Sequence, residues 1–256
     1  MENKSGLTAA MLIKDILTNP FRIDGCYSLF HSYSVLNSLA LTFQINRRGL
    51  KVGPCASFKK WSELGGRVNK GEKALFVCVP FQIKDKFHTI KKVVGGVEKE
   101  EPGIITLFQW KPCVFTYAQV SGVDEPKVEG LSWDYKKALD KLGIKELPYN
   151  NIDGNCQGYA TDEGIALNPL GKHKTRTAVH EIAHKLLHCG KDNDKDRGVK
   201  EVEAELTSYV VGLILKLDGV EESRGYIRHW LANNELTEKT AMKALTTANK
   251  ILNAGK

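Results

Sequence analysis

The chain has 256 residues, of which 42% are hydrophobic and 26% charged, a composition that allows one large or two small globular domains and excludes a disordered chain. The net charge of +7 is uneven, because residues 1–125 carry +6 and residues 126–256 only +1. Within residues 44–86, ten lysines and arginines accompany three acidic residues, an excess that is typical of a nucleic-acid partner but equally consistent with a merely solvated surface.

The first predicted element is a helix at residues 7–18. Lys14 and Asp15 interrupt its apolar stretch, so this segment fits neither a secretory signal nor a membrane span, and no other segment approaches about 18 consecutive apolar residues. The six cysteines are widely spaced and form no C-x-x-C pair, a pattern that favours reduced thiols over a disulfide framework or a cysteine zinc site. We therefore expect a soluble, cytoplasmic protein with no membrane partner.

Helical spacing of apolar residues predicts a second helix at 32–45. Segments rich in β-forming residues predict three strands, with Pro112 marking a bulge or a break between the last two. The polar, glycine-rich residues 84–103 predict a long hairpin loop between the first two. The three strands are at 74–83, 104–110 and 113–120.

Residues 121–130 are the best linker candidate, because turn-forming residues cluster there. Beyond it we predict four helices and one short strand, with Thr237 as a suitable cap for the last helix. A further strand within 154–169 would form a sheet edge on which an extended peptide could be laid. Tyr159 in this segment is a candidate to stabilise an oxyanion, and simple packing is an equal alternative. The helices are at 132–142, 174–189, 199–217 and 238–253, and the strand is at 164–167.

The segment from His180 to Gly190 reads HEIAHKLLHCG and contains an H-E-x-x-H motif. His180 and His184 lie one helical turn apart on one face, the spacing at which two imidazoles bind one zinc ion. Glu181 lies one residue round the helix, where it would act as a general base rather than as a ligand. Such a short motif also arises by chance, as two packed or exposed histidines, so the rest of the ligand set decides.

His188 is a tempting third ligand, but at eight residues from His180 it lies about 80° round the helix and two turns along it. An unbroken helix cannot bring all three imidazoles to one ion. The metzincin arrangement requires a helix-breaking glycine and a histidine ten residues after the first, and both are missing from the sequence. We predict that His188 packs in the fold or lies behind the ligands.

The next predicted helix carries candidates for the third ligand. Glu201 and Glu205 share a face at a spacing of four residues, so Glu201 is predicted to bind the metal and Glu205 to accept the N–H of a ligating imidazole. Glu203 points roughly the opposite way and is the fallback ligand. A solvated acidic face is the alternative, but small residues on the same helix favour close packing against another helix.

Two sets of longer stretches resemble known families. AVHEIAHKLLH followed by EVEAELTSYVVG is similar to the IrrE/ImmA-like metallopeptidases, a gluzincin-type group with a His-His-Glu zinc site. SYSVLNSLAL with Gln44, then ASFKKWSELGGRVNKGEKALFVCVP, then VFTYAQVSG resemble the single-stranded DNA-binding domain of ArdC-type antirestriction proteins. The matching residues of the second set are Tyr33, Ser34, Asn37, Phe58, Trp61, Gly65, Lys70, Gly71, Glu72, Lys73, Pro80, Val114, Phe115 and Gln119.

The resemblance covers roughly residues 20–215, with the two halves in the same order. It implies an α+β fold of two domains. Residues 1–125 would form an α+β single-stranded DNA-binding domain, and residues 126–256 a mainly helical, gluzincin-like metallopeptidase domain with a small sheet. Tyr117 departs from the family pattern, which often has a shorter residue there, and the hairpin at 84–103 has no counterpart that we can place.

The first half also interleaves basic and aromatic residues, as single-stranded DNA-binding surfaces do. Cations follow the phosphate backbone, and an exposed aromatic ring can stack on a base. Core packing is the alternative for Phe58 and the preferred interpretation for Trp61. The candidate DNA contacts are Arg47, Arg48, Lys51, Lys59, Lys60, Arg67, Lys70 and Lys73.

We therefore expect a single-stranded DNA-binding metallopeptidase with an unidentified peptide substrate. In it, Zn²⁺, with Mn²⁺ as an alternative, is held by His180, His184 and Glu201, while Glu181 is the base in peptide-bond hydrolysis. By resemblance, the setting is a mobile element or phage, and the role is to protect incoming DNA from restriction. Two alternatives stay open: a DNA-binding protein whose zinc site is structural or idle, and a regulatory protease that cleaves a repressor.

Overall fold

The computed structural model describes residues 5–20, 33–94, 97–126, 132–151, 155–190 and 196–256, with residues 86–94 and 97–102 described by their backbone alone. Helices and strands are mixed along this part of the chain, which confirms the predicted α+β class. The last four residues of the predicted linker, 127–130, lie outside the described residues. So does most of the polar loop before the third-ligand helix, at 191–195. Among the described residues, no helix combines the length and apolarity that crossing a membrane requires.

The N-terminal half contains three helices and five strands in its described part. A short 3-10 turn, Tyr117–Gln119, joins the last two strands. The helices are α1 (Ala9–Thr18), α2 (Val35–Arg47) and α3 (Phe58–Glu63), and the strands are β1 (Cys55–Ser57), β2 (Arg67–Val68), β3 (Leu75–Val94), β4 (Val97–Thr116) and β5 (Val120–Ser121).

The C-terminal half contains five helices and a three-stranded sheet in its described part. The sheet has the order β6-β8-β7, so the strand predicted at 164–167 is the central strand β8, and the edge of the sheet in this segment is β7. The strands are β6 (Lys145–Leu147), β7 (Gly158–Ala160) and β8 (Gly164–Leu167), and the helices are α4 (Tyr135–Leu142), α5 (Lys174–His188), α6 (Arg197–Leu215), α7 (Val220–Leu231) and α8 (Glu238–Ala254).

The predicted loop at 84–103 is wrong. Strands β3 and β4 continue as an antiparallel ribbon, with pairing that extends to Val94 and Val97. Where the side chains next to the predicted loop are described, Ile83 and Ile104 are 41% and 61% exposed. The sequence of the loop segment shows no alternation of apolar and polar residues, so the period that marks a strand is absent.

Pro112 lies at a bulge rather than at a break. Leu75 pairs with Val114 and Phe76 pairs with Pro112, so Cys113 is the extra residue on β4. The two strands predicted on either side of Pro112 are therefore one strand up to Thr116, followed by the 3-10 turn. An extra residue of this kind bends a strand without ending it.

Helix α2 is tied to strand β3 by two side-chain amides. Asn37 donates to the carbonyl of Cys78 and accepts from its N–H, at 2.9 and 2.7 Å. Gln44 makes the same pair of bonds to Phe76, at 2.9 and 2.8 Å. The two amides lie seven residues apart on one helical face, so they satisfy alternate residues of β3 as a neighbouring strand would.

Helix α1 packs against the C-terminal half. The hydroxyl of Tyr209 donates to the carbonyl of Ile16 at 3.0 Å, and Arg224 Nε donates to the carbonyl of Leu17 at 2.8 Å. The apolar side chains of α1 belong to the same core cluster as those of α5, α6 and α8, while a smaller cluster lies between α2, β3 and β4. The predicted boundary after residue 125 stays a prediction. Helix α1 precedes that boundary in sequence but packs with the helices that follow it.

Candidate metal centre

Helix α5 presents its histidines on one side because its other side is apolar and buried. The helix occupies the predicted position, and it stands between the small sheet and α6. The apolar residues that fix its rotation are each fully buried in the main core. They are Ala178, Val179, Ile182 and Ala183.

Three side chains with metal-binding atoms meet where α5 packs against α6. Nε2 of His180 lies 3.0 Å from Nε2 of His184. Oε2 of Glu201 lies 3.8 Å from the first nitrogen and 3.4 Å from the second. Ligand atoms bound at ~2.0–2.2 Å to a tetrahedral ion lie roughly 3.3–3.5 Å apart, so this triangle has the size that such an ion needs. Among the described residues, these three form the group able to hold a metal ion.

Glu205 supports His180 from behind. Its Oε2 lies 2.7 Å from Nδ1 of His180, and its Oε1 lies 3.2 Å from Nη2 of Arg176. Burial would raise the pKa of Glu205, but contacts with His180, Ser223 and Arg176 outweigh it and hold that pKa at about 2. The carboxylate is therefore ionised at neutral pH and can accept the N–H of the imidazole, which leaves Nε2 of His180 for a metal.

Glu181 is buried beside the triangle, with only 7% of its surface exposed. Burial is the main reason that its pKa is raised, and the neighbouring His180 and His184 partly oppose this. The backbone of Gly158 in β7 lies close to the Glu181 side chain, since a Cβ added at Gly158 would lie 3.0 Å from Cγ of Glu181. A carboxylate with a raised pKa at this position has the character of a general base that accepts and returns a proton.

A cleft of about 420 Å³ opens over the three metal-binding side chains and Glu181. One wall is the edge strand β7, and the other includes Arg197 and Lys200 of α6. A second cavity, of about 630 Å³, lies on the far side of Glu201 and is lined by Arg197 and by Tyr226 of α7. Glu201 and Arg197 line both cavities, so the two cavities adjoin at these residues.

His188 and Glu203 lie outside the triangle. Nε2 of His188 is 3.0 Å from the carbonyl oxygen of Lys200 and 3.9 Å from Oε2 of Glu203. Both side chains are buried, at 9% and 2% exposure. The structure therefore places His188 beside the triangle, in the lining of the same cleft, and it places the fallback ligand Glu203 next to His188 rather than next to His180.

The hydroxyl of Tyr159 points along the sheet edge. It donates to the carbonyl of Pro148 at 3.4 Å and lies 3.5 Å from the backbone nitrogen of Asn150. Its ring lines the cleft, but its hydroxyl is engaged with the 148–150 backbone. The geometry does not support the predicted oxyanion role, because that role needs a donor aimed into the cleft.

Sequence reasoning missed Arg176, Arg197 and Tyr226. Arg176 precedes His180 by four residues, so the helical spacing that paired the histidines also places Arg176 on their face. Arg197 begins α6, one turn before Glu201, and the same spacing was available there. Tyr226 lies on α7, a helix that the sequence analysis did not predict, and carried no usable signal.

The eight candidate DNA contacts are all exposed, but they differ in their partners. Arg48 donates to the carbonyls of Lys73 and Ala74, at 2.6 and 3.1 Å, so it holds the start of β3. Lys51 and Lys60 are paired with acidic side chains, Glu125 at 3.1 Å and Glu63 at 3.3 Å. Within the described residues, no ion pair involves Arg47, Lys59, Arg67, Lys70 or Lys73.

Phe58 and Trp61 lie one turn apart on α3 and have opposite environments. Trp61 is 1% exposed and its indole N–H donates to the carbonyl of Phe115 at 2.9 Å, so it is a core residue. Phe58 is 58% exposed. The prediction of core packing for Trp61 is confirmed, and Phe58 is available to a ligand.

Comparison with known proteins relates the two halves of the chain to different degrees. Residues 21–111 match the family model described as the N-terminal domain of anti-restriction factor ArdC. Over 249 aligned residues the chain is 29% identical to an uncharacterized protein of Bacillus anthracis. The alignment covers 78% of this chain and 42% of that protein, so the chain spans less than half of the length of this relative.

Two crystal structures of the antirestriction protein ArdC from plasmid R388 are similar along almost the whole chain. The Mn(II)-bound structure is 17% identical, with a TM-score of 0.54, and the match covers 96% of both chains. The metal-free structure is 18% identical, with a TM-score of 0.49, and the match covers 96% of this chain and 95% of that one. The Mn(II)-bound structure shows that the fold is shared.

Proposed function

We propose that this chain, whose residues 21–111 match the N-terminal domain of anti-restriction factor ArdC and whose fold is that of the R388 protein, is an ArdC-type protein. It would bind single-stranded DNA with its N-terminal half and hydrolyse peptide bonds at the metal centre of its C-terminal half. The observation that carries the second part is the convergence of His180, His184 and Glu201 beside the buried Glu181. Antirestriction in the cytoplasm, where incoming DNA meets restriction enzymes, is the proposed setting.

The donor set determines which metals suit the triangle. Two imidazole nitrogens and one carboxylate oxygen are the ligands of many catalytic zinc sites, which leave further positions open for water and substrate. The same mixed set also accepts Mn²⁺, and the R388 protein of the same fold has been crystallised with Mn(II). We propose Zn²⁺ as the native ion and Mn²⁺ as the alternative.

In the proposed reaction the metal ion polarises the reactants, and side chains of the protein transfer the proton and orient the ligands. When bound, the ion would act as a Lewis acid toward water and the peptide carbonyl. Glu181 takes a proton from the attacking water and delivers it to the leaving amine nitrogen. Oε2 of Glu205 lies 2.7 Å from Nδ1 of His180. It would accept the N–H of a ligating imidazole and so keep the ring in the tautomer that a metal needs.

The sheet edge provides a binding mode for an extended peptide. Strand β7 lies at the edge of its sheet and forms one wall of the cleft above Glu181. A polypeptide could therefore add to β7 through backbone hydrogen bonds, with its carbonyl carbon over the metal triangle. The second cavity adjoins the cleft at Glu201 and Arg197, and together the two offer room for a substrate several residues long rather than a free amino acid.

The proposed DNA surface combines one exposed ring with those cations of the first half that form no ion pair within the described part of the chain. Lys59 and Phe58 belong to α3, Arg67 begins β2, and Lys70 follows in the next turn. These residues are exposed and close together in sequence, so they can follow one stretch of phosphate backbone while Phe58 stacks on a base.

The decisive experiment pairs Glu181→Gln with the unchanged chain. Glutamine keeps the size of the side chain but removes the base, so we expect full metal content and no cleavage of unfolded protein substrates or of a mixed peptide library. Metal content is measured by elemental analysis, and cleavage by mass spectrometry. Cleavage by Glu181→Gln at the parental rate would overturn the mechanism. Metal binding with no cleavage by either protein would instead support a DNA-binding protein with an idle metal site.

A further inference from the structure

We infer that Arg176 is a positioning residue of the metal centre, which acts on His180 through the carboxylate of Glu205. The inference rests on the proposed metal site, and it adds a residue that the H-E-x-x-H pattern does not contain. Arg176 lies one helical turn before His180 on α5, so the two side chains lie on the same face. Glu205 approaches this face from α6.

The carboxylate of Glu205 is shared between the two residues. One oxygen lies 3.2 Å from Nη2 of Arg176, and the other lies 2.7 Å from Nδ1 of His180. The side chains of Arg176 and Glu205 are only 19% and 11% exposed, so water provides little competition for either contact. The position of the first oxygen therefore determines where the second one meets the imidazole.

The guanidinium itself is held by helix α7. Nε and Nη2 of Arg176 both donate to Oγ of Ser223, at 3.1 and 2.9 Å, and Nη1 donates to Glu222 at 2.9 Å. Ser223 is 1% exposed, so this anchor is part of the packed core. The fork of an arginine suits this task, because its donors point in fixed directions within one plane.

Loss of Arg176 would release the carboxylate rather than remove it. Glu205 would keep its negative charge and its contact with Ser223 but lose the guanidinium that fixes one of its oxygens, so its side chain could turn away from Nδ1 of His180. The imidazole would then be free to change tautomer or rotamer, and its Nε2 atom would spend less time directed toward the metal. Metal affinity should therefore fall, beyond any general loss of stability.

Arg224 provides a matched control for this inference. Like Arg176, its side chain is about one-fifth exposed, at 20%, and it pairs with a largely exposed glutamate, Glu221, at 2.9 Å. It also donates to the backbone of α1, at the carbonyl of Leu17. Arg224→Met therefore removes a comparable set of arginine hydrogen bonds at helix α7, and none of them involves Glu205.

The experiment measures Mn²⁺ and Zn²⁺ affinity of the full chain by calorimetry, together with the melting temperature of the metal-free protein. We expect Glu205→Gln to weaken binding by about 10- to 100-fold. We expect Arg176→Met to weaken it by about tenfold, Arg176→Lys to recover part of that loss, and Arg224→Met to stay within about twofold of the parent even where its melting temperature falls.

A double-mutant cycle separates positioning from general stability. If Arg176 acts through Glu205, Arg176→Met combined with Glu205→Gln binds metal no more weakly than Glu205→Gln alone. The inference would be overturned if the losses of metal affinity in the two single variants were fully additive, or if Arg176→Met kept the parental affinity. If Arg176→Met does not fold, Arg176→Lys takes its place in the cycle. Parental affinity in His180→Ala would overturn the metal centre itself and the inference with it, which distinguishes the two failures.

Discussion

The Nε2 atom of His188 lies 3.0 Å from the carbonyl oxygen of Lys200. This contact joins the last residue of α5 to the first turn of α6, and it occupies the nitrogen that a third imidazole ligand would offer. His188 is buried, so the contact is shielded from water. The third histidine of the HEIAHKLLH segment thus connects the two helices that carry the proposed ligands.

The first prediction follows from this contact. His188→Ala should leave most of the metal in place, whereas His180→Ala and Glu201→Ala should remove it, because only the latter two lose a ligand atom. His188→Ala should also lower the free energy of unfolding by about 1–3 kcal/mol, since it removes a buried hydrogen bond. Elemental analysis and chemical denaturation measure the two effects. Equal metal loss in all three variants would contradict the placement of His188.

The second prediction uses the two aromatic residues of α3 as a pair. Trp61→Ala should lower the free energy of unfolding by about 3–5 kcal/mol, because it empties a fully buried position. Phe58→Ala should change stability by less than about 0.5 kcal/mol, but it should weaken binding of a labelled single-stranded oligonucleotide by about 1–3 kcal/mol if one base stacks there. Fluorescence anisotropy measures the binding. Unchanged affinity in Phe58→Ala would remove this ring from the DNA surface.

The third prediction separates cations that contact DNA from a cation that holds the fold. Replacing Lys59 and Lys70 by glutamine should reduce the slope of log affinity against log salt by about 1.4, at ~0.7 per phosphate contact on single strands. Arg48→Met should chiefly lower stability, by about 1 kcal/mol, because its guanidinium binds the carbonyls of Lys73 and Ala74.

Salt titrations of oligonucleotide binding test both halves of this prediction. If the double glutamine variant keeps the parental slope, the DNA surface lies elsewhere on the chain. If Arg48→Met keeps its stability and flattens the slope by a full contact, Arg48 belongs with the DNA-binding cations instead.

The parts of the site that sequence could predict are those governed by helical spacing. His180, Glu181 and His184 occupy consecutive positions of one helix, so their mutual geometry is local. Glu201 and Glu205 repeat the same spacing on α6, which was enough to propose both. The contact between Glu205 and Arg176 was not predicted, because it depends on how α5, α6 and α7 pack, and no spacing along one helix encodes that.

Two elements escaped prediction for different reasons. Helix α7 buries Ser223 and Ile227 and packs Val220, Trp230 and Leu231 against the core, so its apolar residues recur at helical spacing, and this signal was not used. The outer part of the β3–β4 ribbon was predicted as a loop because its sequence is polar and rich in glycine. Its strands are joined by backbone pairing, which does not depend on an apolar period.

The last prediction concerns the approach of β7 to Glu181, the proposed general base. A Cβ added at Gly158 would lie 2.9 Å from Cγ2 of Thr177, 3.0 Å from the carbonyl oxygen of Ala166 and 3.0 Å from Cγ of Glu181. Gly158→Ala must therefore push β7 away from α5 or displace Glu181. We expect a loss of about 1–3 kcal/mol in stability and a fall in peptide cleavage on the order of tenfold, with metal content retained because no ligand is touched.

Gly225 of α7 is the control for this substitution, since a Cβ there meets nothing within 4 Å. Gly225→Ala should raise stability by roughly 0.5–1 kcal/mol, as alanine does within helices, and leave metal content and cleavage unchanged. The pair thus holds the chemical change constant and varies only what the new methyl group touches. If Gly158→Ala matched Gly225→Ala in stability and cleavage, the edge strand would not need its close approach to Glu181, and a peptide laid on β7 would no longer be the favoured substrate geometry.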